Sequence, residues 1–128
     1  MNVKISTKEI FTVITPQETL IPANMTGEFK ELLLSYLRKD NPHLVLNLSM
    51  VSKIEDDVAT MIVSVQQEFY ENKSSFVVCE IQKPVETFFD EKGLLELMNT
   101  TPTESEAGDI LQMEEMERDL MDDEEIDL

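Results

Sequence analysis

Three consecutive carboxylates, Glu55, Asp56 and Asp57, lie where an apolar run gives way to a helical pattern in VLNLSMVSKIEDDVATMIVSV. Acids in the first turn of a helix complement the positive end of the helix dipole and can accept hydrogen bonds from free backbone N–H groups. Carboxylates are also ligands for Mg²⁺, but a magnesium or phospho-aspartate site needs acids at a second strand end and usually a lysine. Lys83 supplies a lysine, whereas the ends of the first strands offer only one acid, Glu9. The residues therefore favour a role at the helix start, and no metal site is predicted.

Other residue types that carry chemistry are sparse in this chain. His43 is the only histidine and has no neighbouring nucleophile, so an ordinary surface or strand-edge position is expected for it. Cys79, the only cysteine, lies in the apolar run FVVCEI and is expected to be a buried structural thiol. Gly27, Gly93 and Gly108 are isolated, so the chain has no glycine-rich phosphate loop. The sequence predicts neither a catalytic residue nor a cofactor, and we expect a protein that is not an enzyme.

The charge of the chain is strongly negative and unevenly distributed. Of 128 residues, 27 are acidic and 10 are basic, for a net charge of −17, and residues 104–128 hold 12 of the acids but one of the bases. Phosphate backbones and anionic membrane surfaces attract clustered lysine and arginine, so this balance argues against both as targets. A single cysteine, the lack of a long apolar run and a start without a signal sequence predict a cytoplasmic protein. The expected target is another protein.

The spacing of apolar residues predicts an α/β chain in the order β-β-α-β-α-β-α-(β)-α. The first two strands, NVKIST and IFTVIT, are separated by Lys8 and Glu9 and are expected to pair as a hairpin. Strands that alternate with helices then predict a largely parallel sheet. A loop is expected in PQETLIPANM, followed by a helix from Pro22 to about Lys39 that is stopped by Asn41-Pro42. Strands are expected in HLVLNL and FVVCEI, with a helix between them that begins after the acids. The remaining elements are a helix from Pro84 to Gly93, a short strand or irregular edge in LLELM, and a last helix capped by Thr103 and Glu106.

This order of elements resembles the STAS domain, the fold of bacterial anti-sigma factor antagonists. HLVLNLSMVSKIEDDVATMIVSV is similar to the family's central strand, loop and second helix, and SSFVVCEIQKPVETFFDEKGLLELM is similar to the next strand, helix and strand. QETLIPANMTGEFKELLLSYL resembles the first loop and helix, and TESEAGDILQMEEMERDL resembles the last helix with an extension like that of Bacteroidetes-type members. The resemblance covers about residues 3–121. It implies a mixed sheet of four to five strands with about four helices packed mainly on one face.

The resemblance also implies a phosphorylation site in the loop before the second helix. In the family this loop typically reads Asp, then Ser or Thr, then Ser, then Gly. A serine kinase that is itself the anti-sigma factor modifies the hydroxyl residue after the Asp, and the unphosphorylated protein binds that kinase and frees the sigma factor. Here the four positions hold Glu55, Asp56, Asp57 and Val58.

This departure from the family pattern leaves two accounts open. Asp56 has no hydroxyl to phosphorylate, and Val58 does not accept the positive φ that is open to glycine, so a different turn geometry is expected. In one account Asp56 places a permanent charge of about −1 where a phosphoserine would carry about −1.5 to −2. In the other, the phosphorylation site is retired and the acids only serve the helix start. We favour the second account.

The binding surface implied by the resemblance consists of the loop and the exposed helix start, formed by Lys53, Ile54, Glu55, Asp56, Asp57, Val58 and Thr60. The expected function is protein–protein regulation, as an anti-sigma factor antagonist or a degenerate relative in a partner-switching system, with an anti-sigma factor and serine kinase as partner. STAS-like domains also serve as accessory subunits of membrane transport complexes, including lipid-transport ATPases, which is the first alternative. A domain that accepts phosphate on Asp56 or Asp57 is the second. A homodimer is a further option.

The acidic C-terminal residues form a separate unit, so a STAS-like domain is expected over residues 1–112 and an extension over residues 113–128. One interpretation is a solvated acidic end that is disordered beyond Asp122. The other is a helix whose methionine-rich face docks onto another protein or a second copy. The apolar residues of this extension, at mostly helical spacing, are Met113, Met116, Leu120, Met121, Ile126 and Leu128.

Overall fold

The computed structural model describes residues 1–39 and 42–126, and for residues 121–126 it describes the backbone alone. The strands are β1 (Val3–Thr7), β2 (Phe11–Pro16), β3 (Leu20–Ile21), β4 (His43–Asn47), β5 (Lys53–Ile54), β6 (Phe76–Cys79) and β7 (Thr100–Thr101). The α-helices are α1 (Thr26–Ser35), α2 (Asp56–Glu71), α3 (Lys83–Glu91) and α4 (Glu104–Ile126). Short 3₁₀ turns occupy Ala23–Met25, Tyr36–Arg38 and Leu95–Leu97.

The main sheet is mixed and has five strands in the order β1-β2-β4-β6-β7. β1 and β2 form the predicted antiparallel hairpin, with Val3 opposite Pro16 and Thr7 opposite Thr12. β2, β4, β6 and β7 run parallel to one another. β4 lies at the centre, which explains its nearly continuous apolar sequence, because a central parallel strand is covered on both faces. The predicted α/β class and mixed sheet are confirmed.

Three of the four helices cover one face of this sheet, as expected, and α4 covers the other. On the α4 face, Ala107 and Leu111 form a cluster with Val13, Val45 and Val77 from the strands. Alternate strand residues point to the opposite face because side chains alternate along a strand. The larger core on that face joins Ile14, Leu44, Leu46, Phe76 and Val78 of the strands to Phe29 and Leu33 of α1, Ile62 and Phe69 of α2, and Val85 and Phe89 of α3.

Two short segments differ from the sequence-based expectation. LLELM, expected as a short strand or irregular edge, contains the 3₁₀ turn Leu95–Leu97, and the edge strand is instead β7. PQETLIPANM, expected as a loop, contains β3, which pairs in parallel with β5. A two-residue strand is too short to show a period, and the β3–β5 pairing joins residues far apart in the chain. The predicted first helix ends in a 3₁₀ turn at Arg38, and its stop signal at Asn41 lies outside the described residues.

α4 begins after Thr103, whose Oγ1 accepts the N–H of Glu106 at 3.2 Å, as the predicted cap requires. Its backbone is helical to Ile126, and Leu128 lies outside the described residues. The division of the chain at residue 112 therefore stays a prediction. None of the described helices is long and apolar enough to cross a membrane.

Candidate functional site

The loop that leads into α2 is held in place by a neighbouring segment. The carbonyl of Thr19 accepts hydrogen bonds from the N–H groups of Ser52 at 2.8 Å and Lys53 at 3.1 Å, and from the Ser52 hydroxyl at 3.0 Å. β5 then pairs with β3, and the N–H of Glu55 donates to the carbonyl of Ile21 at 3.2 Å. Apart from the Ser52 hydroxyl, the donors are backbone N–H groups, so the position of the loop depends little on its outward side chains.

Glu55 is the N-cap residue of α2 and has extended backbone geometry, but its side chain makes no capping bond to its own helix. Its Oε1 instead accepts the N–H of Ala23 at 2.8 Å, at the start of the turn that precedes α1. The expectation that this carboxylate caps the helix is therefore wrong for Glu55, because the neighbouring turn offers a free N–H group at the same place. Asp56 and Asp57 do occupy the first turn, where the helix dipole favours negative charge.

Asp56 is paired with a lysine that the sequence did not suggest. Its Oδ1 lies 2.8 Å from Nζ of Lys92, and 70% of its side chain remains exposed. The same ammonium group lies 5.1 Å from the ring centroid of Phe88. Lys83, the lysine suggested by the sequence, lies 3.4 Å from Glu86 and is almost fully exposed. The charge at position 56 is thus compensated within the domain, at the junction of α2 and α3.

The seven predicted site residues divide into an exposed group and a supporting group. Ile54 and Val58 are buried in the core. Val58 is the third residue of α2, so it needs no positive φ; in the described chain the non-glycine residues with positive φ are Lys73 and Glu80. The exposed residues are Lys53, Glu55, Asp56, Asp57 and Thr60.

Four of these five exposed residues, all but Thr60, border a shallow depression of about 340 Å³ next to the start of α2. Two of its lining residues, Ala23 and Phe88, were not anticipated, since they come from distant segments and carry no local signal. The three carboxylates do not converge: Glu55 faces a backbone N–H group and Asp56 faces Lys92. Over the residues with described side chains, no three His, Cys, Asp or Glu residues are grouped to hold a metal ion. The arrangement suits contact with a protein surface.

His43 is not among the residues that line this depression. It is buried, so the expected surface position is wrong, but it is the first residue of β4, which agrees with the alternative of a strand-edge position. Its Nδ1 accepts the N–H of Ser75 at 3.0 Å, and its Nε2 lies 2.6 Å from Oε2 of Glu115 in α4. Since Nδ1 is an acceptor, the ring proton is on Nε2 and is directed at the carboxylate. The histidine therefore connects β4 to α4, and the hydroxyl of the adjoining Ser75 is engaged by Arg118 and Glu114. The packing of α4, which a local pattern cannot reveal, is what buries the histidine.

Cys79 is a buried free thiol at the end of β6, as predicted. Burial, with smaller contributions from the charges of Glu104 and Glu80, raises its pKa to about 12. The thiol therefore stays protonated at neutral pH, which suits a structural role.

Comparison with known proteins agrees with this architecture. A family model described as "STAS domain" matches residues 2–107. No curated protein sequence matches the chain. A proposed anti-sigma factor antagonist from Thermotoga maritima superposes with a TM-score of 0.78 at 18% identity, covering 86% of this chain and 94% of its own.

Two further solved structures are informative. A Moorella thermoacetica RsbS variant with one serine replaced by glutamate has a TM-score of 0.73 at 24% identity, over 88% of this chain and 96% of that one. A murine solute carrier anion transporter of family 26 contains a similar segment, with a TM-score of 0.66 at 13% identity, over 81% of this chain but 18% of the transporter. At these identities the likeness concerns the fold.

Proposed function

The chain belongs to the STAS domain family, and from that premise we propose that it is a non-catalytic regulatory domain that binds a protein partner through the exposed start of α2. The observation that carries the proposal is the fixed, solvent-facing group of acids at this point, with Asp56 paired to Lys92 at 2.8 Å. The partner proposed is an anti-sigma factor that is also a serine kinase, as in the partner-switching systems of the family. The protein would act where that kinase acts, in the cytoplasm.

The charge state of position 56 supports constitutive binding. A phosphoserine carries about −1.5 to −2, whereas a carboxylate carries about −1. The contact with Lys92 at 2.8 Å offsets part of that charge, and solvent screens the carboxylate further, since 70% of its side chain is exposed. Asp56 is therefore a poor imitation of the phosphorylated state, and we propose that the domain stays in the form that binds its partner. Without a hydroxyl at this position, phosphorylation at residue 56 cannot switch the domain off.

The direct test is binding to an anti-sigma serine kinase from the same organism, measured by isothermal titration calorimetry with and without ATP. Wild type should bind equally in both conditions and acquire no phosphate. Asp56→Ser should be phosphorylated in ATP and then bind at least about tenfold weaker, because a charge near −2 exceeds what Lys92 offsets. Asp57→Ser is the matched control, one residue from the acceptor position, and should stay unmodified. A phosphate on wild type within residues 49–60, found by mass spectrometry, would contradict the proposal.

A second experiment addresses the role of Lys92 in compensating Asp56. Lys92→Met uncovers the carboxylate and should weaken kinase binding several-fold. Asp56→Asn in the same background should restore it, since no charge remains to be offset. Lys83→Met removes an equally charged, more exposed lysine and should leave binding unchanged. Unchanged binding of Lys92→Met would show that charge compensation at position 56 is irrelevant to the partner.

A second candidate function is that of an accessory domain of a membrane transport complex. The observation in its favour is the similarity of fold to a segment of the anion transporter described above. Co-purification from the source organism with the full chain as bait decides between the two candidates. Recovery of a transport ATPase, abolished by Thr60→Arg, would select the accessory role. Recovery of a serine kinase with the same dependence would select partner switching.

A further inference from the structure

α4 presents two chemically different faces. Its inward face carries Ala107 and Leu111, which pack against the sheet. One and two turns further along, Glu115 reaches His43 and Arg118 donates to the hydroxyl of Ser75 at 2.7 Å. Along the part of α4 whose side chains are described, this face therefore packs against and hydrogen-bonds to the rest of the domain.

The outward face of α4 carries an apolar stripe, which we call the Met113 face and which consists of Met113, Met116 and Leu120. Their exposed fractions are 60%, 65% and 63%. At about 100° per residue, spacings of three and four place the three side chains on one strip nearly opposite Ala107 and Leu111. The other exposed large hydrophobic residues of the described chain each lie in a different segment, whereas these three lie on one helix; they are Ile5, Leu20, Met50 and Leu97. Clustered exposed apolar side chains of this kind mark interaction sites.

The charge around the Met113 face is negative and uncompensated. Asp109 and Glu117 flank the stripe and are exposed. Residues 104–128 contain 12 acids and one base, and that base, Arg118, is turned inward toward Ser75 and Glu115. No cation of α4 is therefore available on the outward face to offset the acids beside the stripe.

These charges decide between two occupants of the face. A second copy would bring an equally acidic helix against the first, and like charges across an interface cost several kcal/mol. A basic amphipathic helix, in contrast, matches both features, since its apolar side chains meet the stripe and its lysines or arginines meet the flanking acids.

We propose that the Met113 face is a docking surface for a basic amphipathic helix of a partner protein. Methionine suits such a surface because its flexible thioether adapts to the contours of the partner. α4 lies on the opposite side of the sheet from α2, so this surface is separate from the exposed start of α2 and both can be occupied together. The interaction is small in area and depends on charge, and it should be of micromolar strength and sensitive to salt.

The test measures binding of the full chain to a fluorescein-labelled helical peptide of leucine and lysine with one apolar face, by fluorescence anisotropy. Saturable binding should weaken at least about tenfold between about 0.05 M and about 0.5 M NaCl. A peptide of the same composition with the apolar face scrambled, and a peptide with glutamate in place of lysine, should each bind at least about tenfold weaker. The expected result thus requires both charge and an apolar face.

The variants locate the binding on the protein. Replacement of Met113, Met116 and Leu120 together by glutamine should abolish peptide binding and, since all three are exposed, leave the circular dichroism spectrum unchanged. Leu97→Gln, an equally exposed leucine elsewhere on the surface, is the matched control. Equal binding of the triple variant, no binding of any peptide, or a concentration-dependent dimer that the triple variant loses would each overturn the proposal. Kinase binding through α2 should persist in the triple variant, so the two proposals can fail separately.

Discussion

Gln66 is the buried polar residue that joins α2 to the edge of the main sheet, and its replacement by methionine is expected to destabilise the protein. Its Nε2 donates to the carbonyl of Phe76 at 2.7 Å and to the carbonyl of Asn99 at 3.0 Å. Its Oε1 accepts the N–H of Asn99 at 3.0 Å. The side chain is 3% exposed. One amide thus satisfies three backbone groups at the start of β6 and just before β7.

The magnitude follows from the number of groups left without a partner. Methionine has nearly the same length and leaves no large cavity, so the loss is mainly that of hydrogen bonds. The Asn99 carbonyl keeps a second donor, the N–H of Val78 at 3.0 Å, so the change leaves two groups without a partner, the carbonyl of Phe76 and the N–H of Asn99. A buried backbone group without a partner costs about 1–3 kcal/mol, and the partly exposed Asn99 can recover some of this from water. We expect Gln66→Met to lower the free energy of unfolding by about 2–4 kcal/mol and the Tm by roughly 6–16 °C. That is a large share of the roughly 5–15 kcal/mol of a typical domain.

The assay is urea unfolding followed by circular dichroism at 222 nm, combined with a thermal scan. Gln67→Met is the matched control, because it makes the same change one residue along α2 at an exposed position, where about 0.5 kcal/mol or less is expected. Gln66→Met should also loosen α2, whose first turn carries Asp56. A loss of less than about 1 kcal/mol for Gln66→Met would refute the assignment of these three bonds as the anchor of α2.

Further predictions concern buried and strained positions. Val58→Gly should lower the free energy of unfolding, measured by urea denaturation, by about 3 kcal/mol, because it removes a buried side chain and adds a glycine to a helix. A loss below about 1 kcal/mol would show that α2 does not begin at Asp56. Lys73 has a φ of 60°, a left-handed backbone conformation that glycine adopts without strain. Lys73→Gly should therefore raise the free energy of unfolding by about 0.5–1 kcal/mol, whereas Lys73→Ala should not. Equal effects of the two changes would show that the backbone at residue 73 is not strained. Burial raises the pKa values of Cys79 and Tyr70 from 9.0 and 10.0 to about 12 each. The unfolded chain loses these protons first, so the stability that depends on these two groups should be fully present well below pH 9 and should be lost as the pH rises from about 9 toward 12. The loss should be less steep in Tyr70→Phe, and a flat profile between pH 9 and 12 would contradict the burial of both groups.

Much of the fold was predictable because its longer helices and strands follow from the spacing of apolar residues that are close together in the sequence. The β1–β2 hairpin follows from alternation in the first strand and β-branched and aromatic residues in the second, with a short connection between them, and β4 follows from a short run of apolar residues. The start of α2 follows from the switch to helical spacing after the acids. The STAS resemblance rested on this order of elements, not on the phosphorylation motif, from which the chain departs at Asp56. The β3–β5 pair was missed, since two residues carry no periodicity.

The candidate site was predictable as a position in the chain but not as a set of interactions. That Glu55, Asp56 and Asp57 stand at a helix start could be read from spacing alone. That Glu55 binds the N–H of Ala23 and Asp56 pairs with Lys92 could not, because these contacts join residues more than 30 positions apart. The same holds for His43, whose burial depends on α4.

The sequence by itself determined the types of the longer elements, their apolar faces and the presence of charge at the start of α2 and along the C-terminal helix. Only the tertiary structure decided which charges are compensated, because an ion pair depends on the distance between side chains that the fold brings together. Asp56 thus has a partner in Lys92, while the acids beside Met113 face solvent with their one nearby arginine turned inward.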